Sequence, residues 1–149
     1  MPYDPNPKVD KASLDAQQRV RVYWMTLVSG AANVLALVLH LQSIDDFALR
    51  GPLVGAVAGA IILAGIRGNT DGYYQQLVNI GVRWTMIALG IAVLVLWAHR
   101  ETSLVGRLLP GIERLAADPY LLALLLGVIF HAGYAFAYVR DLASDAGDS

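Results

Sequence analysis

The chain has 149 residues, of which 56% are hydrophobic and 15% are charged, and its mean hydropathy is +0.52. Soluble domains average roughly 45–50% apolar and about 25% charged residues, so a soluble core of this size would leave too much apolar surface in water. The net charge of −1 offers no basic field to nucleic acid. Because there is no cysteine, disulfides, thiolate metal sites and iron–sulfur clusters are excluded.

The first 21 residues form a polar segment that contains three prolines and lacks the basic head and apolar core of a signal peptide. We expect residues 10–20 to form a short amphipathic helix that leads into the membrane. From Val22 to Ile44 no residue is charged, and 23 residues in a helix span roughly 34 Å. A bilayer core is about 30 Å thick, so residues 22–44 are predicted to be the first membrane helix.

The second apolar segment is shorter, because Arg50 and Arg67 leave only 16 uncharged residues between them. Asp46 is a suitable N-cap residue, and Pro52 would fall in the first turns, where proline is tolerated. We predict a helix over residues 47–67 and leave open whether it crosses fully. The turn cluster at residues 68–72 predicts an antiparallel hairpin with a third helix over residues 73–99.

The segment 101–117 has leucines at helical spacing, and Pro110-Gly111 interrupts the pattern. It is predicted to be a broken amphipathic helix in the membrane surface, or a loop helix packed on its own bundle. The fourth membrane helix is predicted over residues 119–140, because 21 residues from Pro119 to Val139 carry no charge. Residues 141–149 are small and acidic and are predicted to be a disordered tail.

These elements predict an all-α polytopic membrane protein, with a four-transmembrane-helix bundle over residues 22–140. Basic residues near the predicted helix ends number six on the side of the termini and four on the other side. The six are Lys8, Lys11, Arg19, Arg21, Arg67 and Arg140, and the four are Arg50, Arg100, Arg107 and Arg114. Because cytoplasmic loops are richer in Lys and Arg, we expect both termini in the cytoplasm, and a bacterial inner membrane as the location.

Three glycines of the second helix, Gly51, Gly55 and Gly59, are four residues apart and share one face. Small residues on one face allow another helix backbone to approach closely. The pattern therefore predicts either an oligomer interface or packing within the same bundle.

Arg83 is the only formal charge inside the third helix, and it forms a polar stripe with Gln76 and Asn79. A charged residue inside a membrane helix is costly and is by default a functional hypothesis. Arg83 would lie nearer the side of the termini. It would snorkel to lipid phosphates, pair with a polar group of the bundle or of a partner, or line a pathway for anions or substrate.

The three histidines are weak candidates for binding a haem or a metal. His40 and His99 are expected at matching depths near the outer helix ends, whereas His131 lies near the middle of the fourth helix. Asn33 is a mid-membrane amide that needs a partner on another helix. A quinone or lipid pocket lined by His131, Tyr134 and Asn33 is a further hypothesis.

No nucleophile constellation or metal-binding spacing is evident, so we expect neither an enzyme nor a resident cofactor. No helix interior carries a carboxylate, which excludes the embedded glutamate of the small multidrug resistance transporters. The main functional prediction is an accessory or scaffolding subunit of a membrane complex. The alternatives are a small homo-oligomeric channel or transporter that uses the polar stripe, and a haem- or quinone-binding subunit. The expected partners are lipid, further copies or other membrane subunits, and no nucleic acid.

Overall fold

A computed structural model describes the backbone of residues 11–44, 46–65 and 72–147, and the side chains of residues 20–44, 46–65, 72–102 and 104–143. The described elements are α1 (Lys11–Leu41), α2 (Phe47–Gly65), α3 (Gly72–Glu101), α4 (Ser103–Leu108), α5 (Ile112–Ala117) and α6 (Pro119–Gly147). Four stretches are long and apolar enough to cross a membrane: Val20–Leu41, Phe47–Gly65, Gly72–Glu101 and Pro119–Ala143. The all-helical fold and its four apolar helices confirm the coarse sequence prediction.

The first helix is longer at its start and shorter at its end than predicted. It begins at Lys11 and so includes most of the expected leader helix. It ends where Ser43 adopts a left-handed backbone with φ of 58°. There the Ile44 amide donates to the Leu39 carbonyl at 3.0 Å, and the Ser43 amide donates to the His40 carbonyl at 3.1 Å. This is a Schellman-type helix end.

The start of α2 is capped as predicted. The Ala48 amide donates to Asp46 Oδ1 at 2.9 Å, which satisfies one of the free amides of the first turn. Arg50 Nη2 also donates to the carbonyl of Leu39 at 3.3 Å. The first turn of α2 is therefore tied to the last turn of α1.

The long helices pack in the order α2, α1, α6, α3, and neighbours run antiparallel. Among the described residues the main neighbour of α2 is α1, and that of α3 is α6, so the predicted packing of the second helix along the third is not found there. A short connection fixes the direction of the next helix but not its neighbour. Residues 68–71 of the predicted turn lie outside the described residues. We call the end of the bundle that holds Tyr23 and Tyr138 the terminal end, and the opposite end, with α4 and α5, the loop end.

The predicted break in the segment 101–117 is confirmed, because α4 and α5 are separated at Pro110-Gly111 and Gly111 has φ of 100°. Ile112 of α5 is buried in the bundle. Leu104 and Leu108 of α4 are 62% and 78% exposed. The second half of the segment therefore packs on the bundle, and the location of α4 in the membrane surface stays a prediction.

The prediction of a disordered tail over residues 141–149 is wrong for the described part of that tail. It continues through Gly147, so residues 141–147 are helical, and residues 148–149 lie outside the described part. These residues contain no proline and no glycine before Gly147, and their alanines and leucine favour a helix. Arg140 also pairs with Asp141 at 2.8 Å.

Candidate functional site

A tyrosine cluster joins three helices at the terminal end. The rings of Tyr23 and Tyr74 are 5.7 Å apart, and those of Tyr74 and Tyr134 are 5.9 Å apart. Thr26 Oγ1 donates to the Val22 carbonyl at 3.0 Å, so the Tyr74 hydroxyl is the donor in its 3.0 Å bond to Thr26. The cluster consists of Tyr23, Tyr73, Tyr74, Tyr134 and Tyr138. It fixes the relative heights of α1, α3 and α6.

The seam between α1 and α6 is built from two reciprocal contacts. Asn33 of α1 is fully buried, and its Nδ2 donates to the carbonyl of Leu124 at 3.3 Å. Its amide lies against Gly127 so closely that a methyl group there would overlap it. In the reverse sense His131 of α6 lies against Gly30, where an added Cβ would be 3.0 Å from the His131 Cβ. Each helix therefore supplies one glycine and one polar side chain.

The imidazole of His131 uses only one of its two nitrogens. Nδ1 lies 2.7 Å from the carbonyl of Gly127, and because a carbonyl only accepts, Nδ1 carries the hydrogen. In the neutral ring, which a buried apolar setting favours, Nε2 then carries a lone pair. Nε2 is buried and has no partner among the described residues, as is also true of Asn33 Oδ1 and the Tyr134 hydroxyl.

Helices α3 and α6 touch through their backbones. An added Cβ on Gly81 would lie 2.7 Å from the carbonyl oxygen of Phe130, and one on Gly133 would lie 3.1 Å from the Cα of Gly81. Trp84 packs over Gly133 as well. This crossing sets the height of α3 against the rest of the bundle.

Arg83 lies near the middle of the apolar spans. Gly81 contacts the backbone of Phe130 on α6, and Arg83 follows Gly81 by two residues. Arg83 therefore lies within one helical turn of the level of Phe130. The apolar stretch of α6 runs from Pro119 to Ala143, so that level is about 16 Å from one end and about 20 Å from the other, at 1.5 Å per residue. The prediction from the sequence, that Arg83 lies nearer the terminal end, differs from this position because the crossing at Gly81 sets the height of α3.

The polar stripe faces away from the bundle. Gln76, Asn79 and Arg83 are all exposed, whereas the buried residues of α3 are Tyr74, Leu77, Val78 and Gly81. Within the part of the chain that the structure describes, no hydrogen bond or ion pair engages the Arg83 side chain. Pairing within the bundle, one of the three interpretations of Arg83, therefore has no described partner.

The glycine face of α2 also points outward. An added Cβ on Gly55 or Gly59 would meet nothing within 4 Å, and one on Gly51 would meet only Phe47 of the same helix. Packing of this face within the bundle, one of the two interpretations, is therefore wrong for the described residues. The face remains open to a partner outside the chain.

At the loop end His40 pairs with Asp118, with 2.6 Å between Nε2 and Oδ2. The other oxygen of Asp118 accepts the Leu121 amide at 2.9 Å and so caps α6. The Leu121 amide and then His40 hold the pKa of the Asp118 carboxyl below its ordinary value. The edge of the His40 ring also meets Tyr120, with ring centres 5.0 Å apart. Asp118 was missed in the sequence, although an aspartate directly before a helix is an N-cap signal.

His99 has a different neighbour, since an added Cβ on Gly106 of α4 would lie 3.4 Å from its Cε1. His40 and His99, the predicted pair, thus engage α6 and α4 respectively. The described residues contain no group of three or more metal-ligating side chains.

Two places in the bundle have polar side-chain groups without a partner among the described residues. They are the outward stripe that ends at Arg83 and the seam around His131. No family model, curated protein or solved structure matches this chain.

Proposed function

We propose that this chain is a four-span protein of a bacterial inner membrane, with both termini cytoplasmic, that serves as an accessory or scaffolding subunit of a larger membrane complex. One observation carries the proposal: Arg83 faces outward at the middle of the apolar spans. A partner protein that covers this face supplies the group that Arg83 lacks.

Lipid phosphates lie far from this residue on the proposed membrane insertion. Half of a bilayer core is roughly 15 Å, which exceeds the reach of an arginine side chain from the level of Phe130. Arginine at the centre of a membrane helix costs about 2.5–3.5 kcal/mol on insertion scales. A carboxylate on another chain would offset this cost and form a bidentate pair with the guanidinium.

A second copy of the chain does not supply that carboxylate. No aspartate or glutamate occurs between Gly72 and Arg100 or between Pro119 and Arg140, and the first two spans also lack one. A symmetric dimer through α3 would place two Arg83 side chains at the same level, where like charges repel. The partner is therefore a different membrane protein with a carboxylate near mid-membrane. The open face of Gly55 and Gly59 offers a further contact for a helix.

The test is recovery of the complex from native membranes in mild detergent. We expect the tagged chain to co-purify with a second membrane protein, and Arg83→Leu to reduce its recovery at least tenfold. Arg107→Leu removes an equal charge at the loop end and should leave recovery unchanged. Once mass spectrometry has identified the partner, Arg83→Glu combined with a basic residue at the partner's intramembrane carboxylate should restore assembly. Equal recovery with Arg83→Leu, or a chain that elutes alone, would overturn the proposal.

The second candidate is a small homo-oligomeric channel or transporter. It is supported by the outward position of both the polar stripe and the glycine face, which several copies could enclose. A homogeneous homo-oligomer, with ion flux in proteoliposomes that Arg83→Leu abolishes, would favour this candidate over the first. A haem-binding subunit would instead show a Soret band in the purified protein.

A further inference from the structure

One face of α3 points directly away from the rest of the bundle. Gly81 marks the face that contacts α6, and an α-helix turns by about 100° per residue. Six exposed residues of α3 lie about 140–180° round the helix from Gly81. They are Gln76, Asn79, Arg83, Met86, Gly90 and Trp97. We call this set the α3 face.

None of the described helices covers the α3 face. Helix α3 stands at the end of the row α2, α1, α6, α3, so its only long neighbour in that row lies on the opposite side. Helix α4 meets α3 at His99, which is five turns after Gly81 and therefore on the same side as α6. Met86 and Trp97 are each 62% exposed. The α3 face is thus open along its length in the part of the chain that the structure describes.

The α3 face has the spacing of a helix–helix contact. Four of its members follow one another at intervals of seven residues, and two more lie three residues after the first and the second of these. In chain order the four are Gln76, Arg83, Gly90 and Trp97, and the two are Asn79 and Met86. A mean interval of 3.5 residues keeps one face against a neighbouring helix in a left-handed pair. Most bundles of membrane helices are left-handed in this way.

The half of the α3 face toward the terminal end is polar. It carries the amides of Gln76 and Asn79 and the guanidinium of Arg83, and none of the three side chains has a hydrogen bond to another described residue. Apolar surroundings offer an amide no hydrogen-bond partner, which makes its burial there costly. Polar groups on a second helix would satisfy all three side chains along one line.

The other half of the α3 face contains a notch at Gly90. An added Cβ there meets nothing within 4 Å, so no contact within the described bundle requires a glycine, although glycine lowers helix propensity. Gly90 follows Gly81 by nine residues, or about 13 Å of helix. This distance is within the half-thickness of a bilayer core, roughly 15 Å. The notch therefore lies at a depth where only an apolar side chain would fill it.

We propose that one transmembrane helix of the partner protein packs lengthwise along the α3 face; this inference rests on the proposed function. The carboxylate of that helix pairs with Arg83, and a large apolar side chain seven residues away fits the notch at Gly90. Because Arg83 and Gly90 are themselves seven residues apart, this spacing holds for a parallel and for an antiparallel helix. The partner is therefore recognised by an apolar span with one carboxylate and a bulky residue one heptad from it.

Photo-crosslinking in native membranes tests which face is covered. Benzoylphenylalanine replaces one residue at a time in the full chain, at Met86 or Trp97 on the α3 face. Leu89 and Ile91 are the matched controls, because both are exposed and lie about 100° to either side of Gly90. We expect at least fivefold more crosslinked partner from the two positions on the face. Equal or stronger crosslinking from Leu89 or Ile91 would overturn the proposal.

Substitutions at the notch test its fit. Gly90→Leu fills the notch and should reduce recovery of the partner at least tenfold, whereas Ile91→Phe enlarges an exposed neighbour and should leave recovery unchanged. Because Gly90 is exposed, Gly90→Leu should unfold in detergent no earlier than the wild type. Truncating the partner's bulky residue to alanine should then restore recovery with Gly90→Leu. Unchanged recovery with Gly90→Leu, or a crosslinked helix without a carboxylate, would contradict the proposed packing.

The outcomes separate this inference from the proposed function. Recovery of the wild-type complex and its dependence on Arg83 test the proposed function alone. A complex that requires Arg83 but tolerates Gly90→Leu would refute only the packing along the α3 face. A chain that recovers no partner at all would refute both.

Discussion

The close crossing of α3 and α6 predicts a large effect of one methyl group. In Gly81→Ala the new Cβ would lie 2.7 Å from the carbonyl oxygen of Phe130 and 3.0 Å from its ring. A backbone carbonyl in the middle of a helix does not move aside as a flexible side chain does. The two helices must therefore separate by roughly half an ångström, and Gly133 and Trp84 pack in the same contact.

The magnitude follows from a matched substitution on the same helix. Gly90 is exposed and an added Cβ there meets nothing within 4 Å, so Gly90→Ala gains only helix propensity, up to about 1 kcal/mol. Gly81→Ala has the same propensity gain and in addition an overpacking cost of about 1–3 kcal/mol. The difference in the free energy of unfolding between the two variants therefore measures the overpacking cost alone, and it should be about 1–3 kcal/mol.

The measurement is reversible unfolding in mixed micelles of dodecyl sulfate and a mild detergent, followed by circular dichroism. Gly81→Ala should unfold at a lower dodecyl sulfate fraction than the wild type or close to it, and Gly90→Ala at a higher one. If the two variants have the same free energy of unfolding, the backbone contact between α3 and α6 is refuted.

Two further predictions concern the loop end. Ser43→Gly should raise the free energy of unfolding by about 1 kcal/mol, because Ser43 has φ of 58° and glycine lacks the Cβ penalty there; no gain in the same titration would contradict the left-handed turn. Asp118→Ala should lower stability at pH 7, because it removes the cap of α6 and the contact with His40. The pKa of Asp118 is lowered in the folded chain, so its contribution is present above its ordinary value of 3.8 and is lost as the pH falls through the lower folded value. The variant should therefore lose less stability than the wild type between pH 5 and acid, and equal pH profiles would disprove the role of Asp118.

The local features of the fold were predictable because each depends on residues that are close together in the sequence. Uncharged runs marked the long helices, Asp46 marked the start of α2, and Pro110-Gly111 marked the break. The neighbours of each helix were not predictable, because periodicity identifies a face and not what lies opposite it. For the same reason the sequence predicted a packing face at Gly55 and Gly59, although neither glycine contacts another helix among the described residues. The glycines that pack closely are Gly30, Gly81, Gly127 and Gly133.

The candidate site was predicted in parts. Arg83, Asn33 and His131 stood out because polar groups in apolar helices are rare. The height of Arg83 depends on the Gly81 crossing, which only the three-dimensional packing fixes. Nε2 is the unpartnered nitrogen of His131 because Nδ1 bonds the carbonyl of Gly127, one turn earlier on the same helix. The sequence has that spacing but does not reveal which ring nitrogen remains unused.

The seam between α1 and α6 also sets an order of events during synthesis. Asn33 and its acceptor Leu124 are 91 residues apart, and ribosomes add roughly 5–20 residues per second. On the proposed insertion into a membrane, α1 therefore waits for roughly 5–20 s with its amide facing lipid or the insertion machinery. The polar contact of α1 is thus completed only when α6 has been made. A chain truncated before α6 would retain three apolar helices and would lack the Leu124 carbonyl to which Asn33 donates.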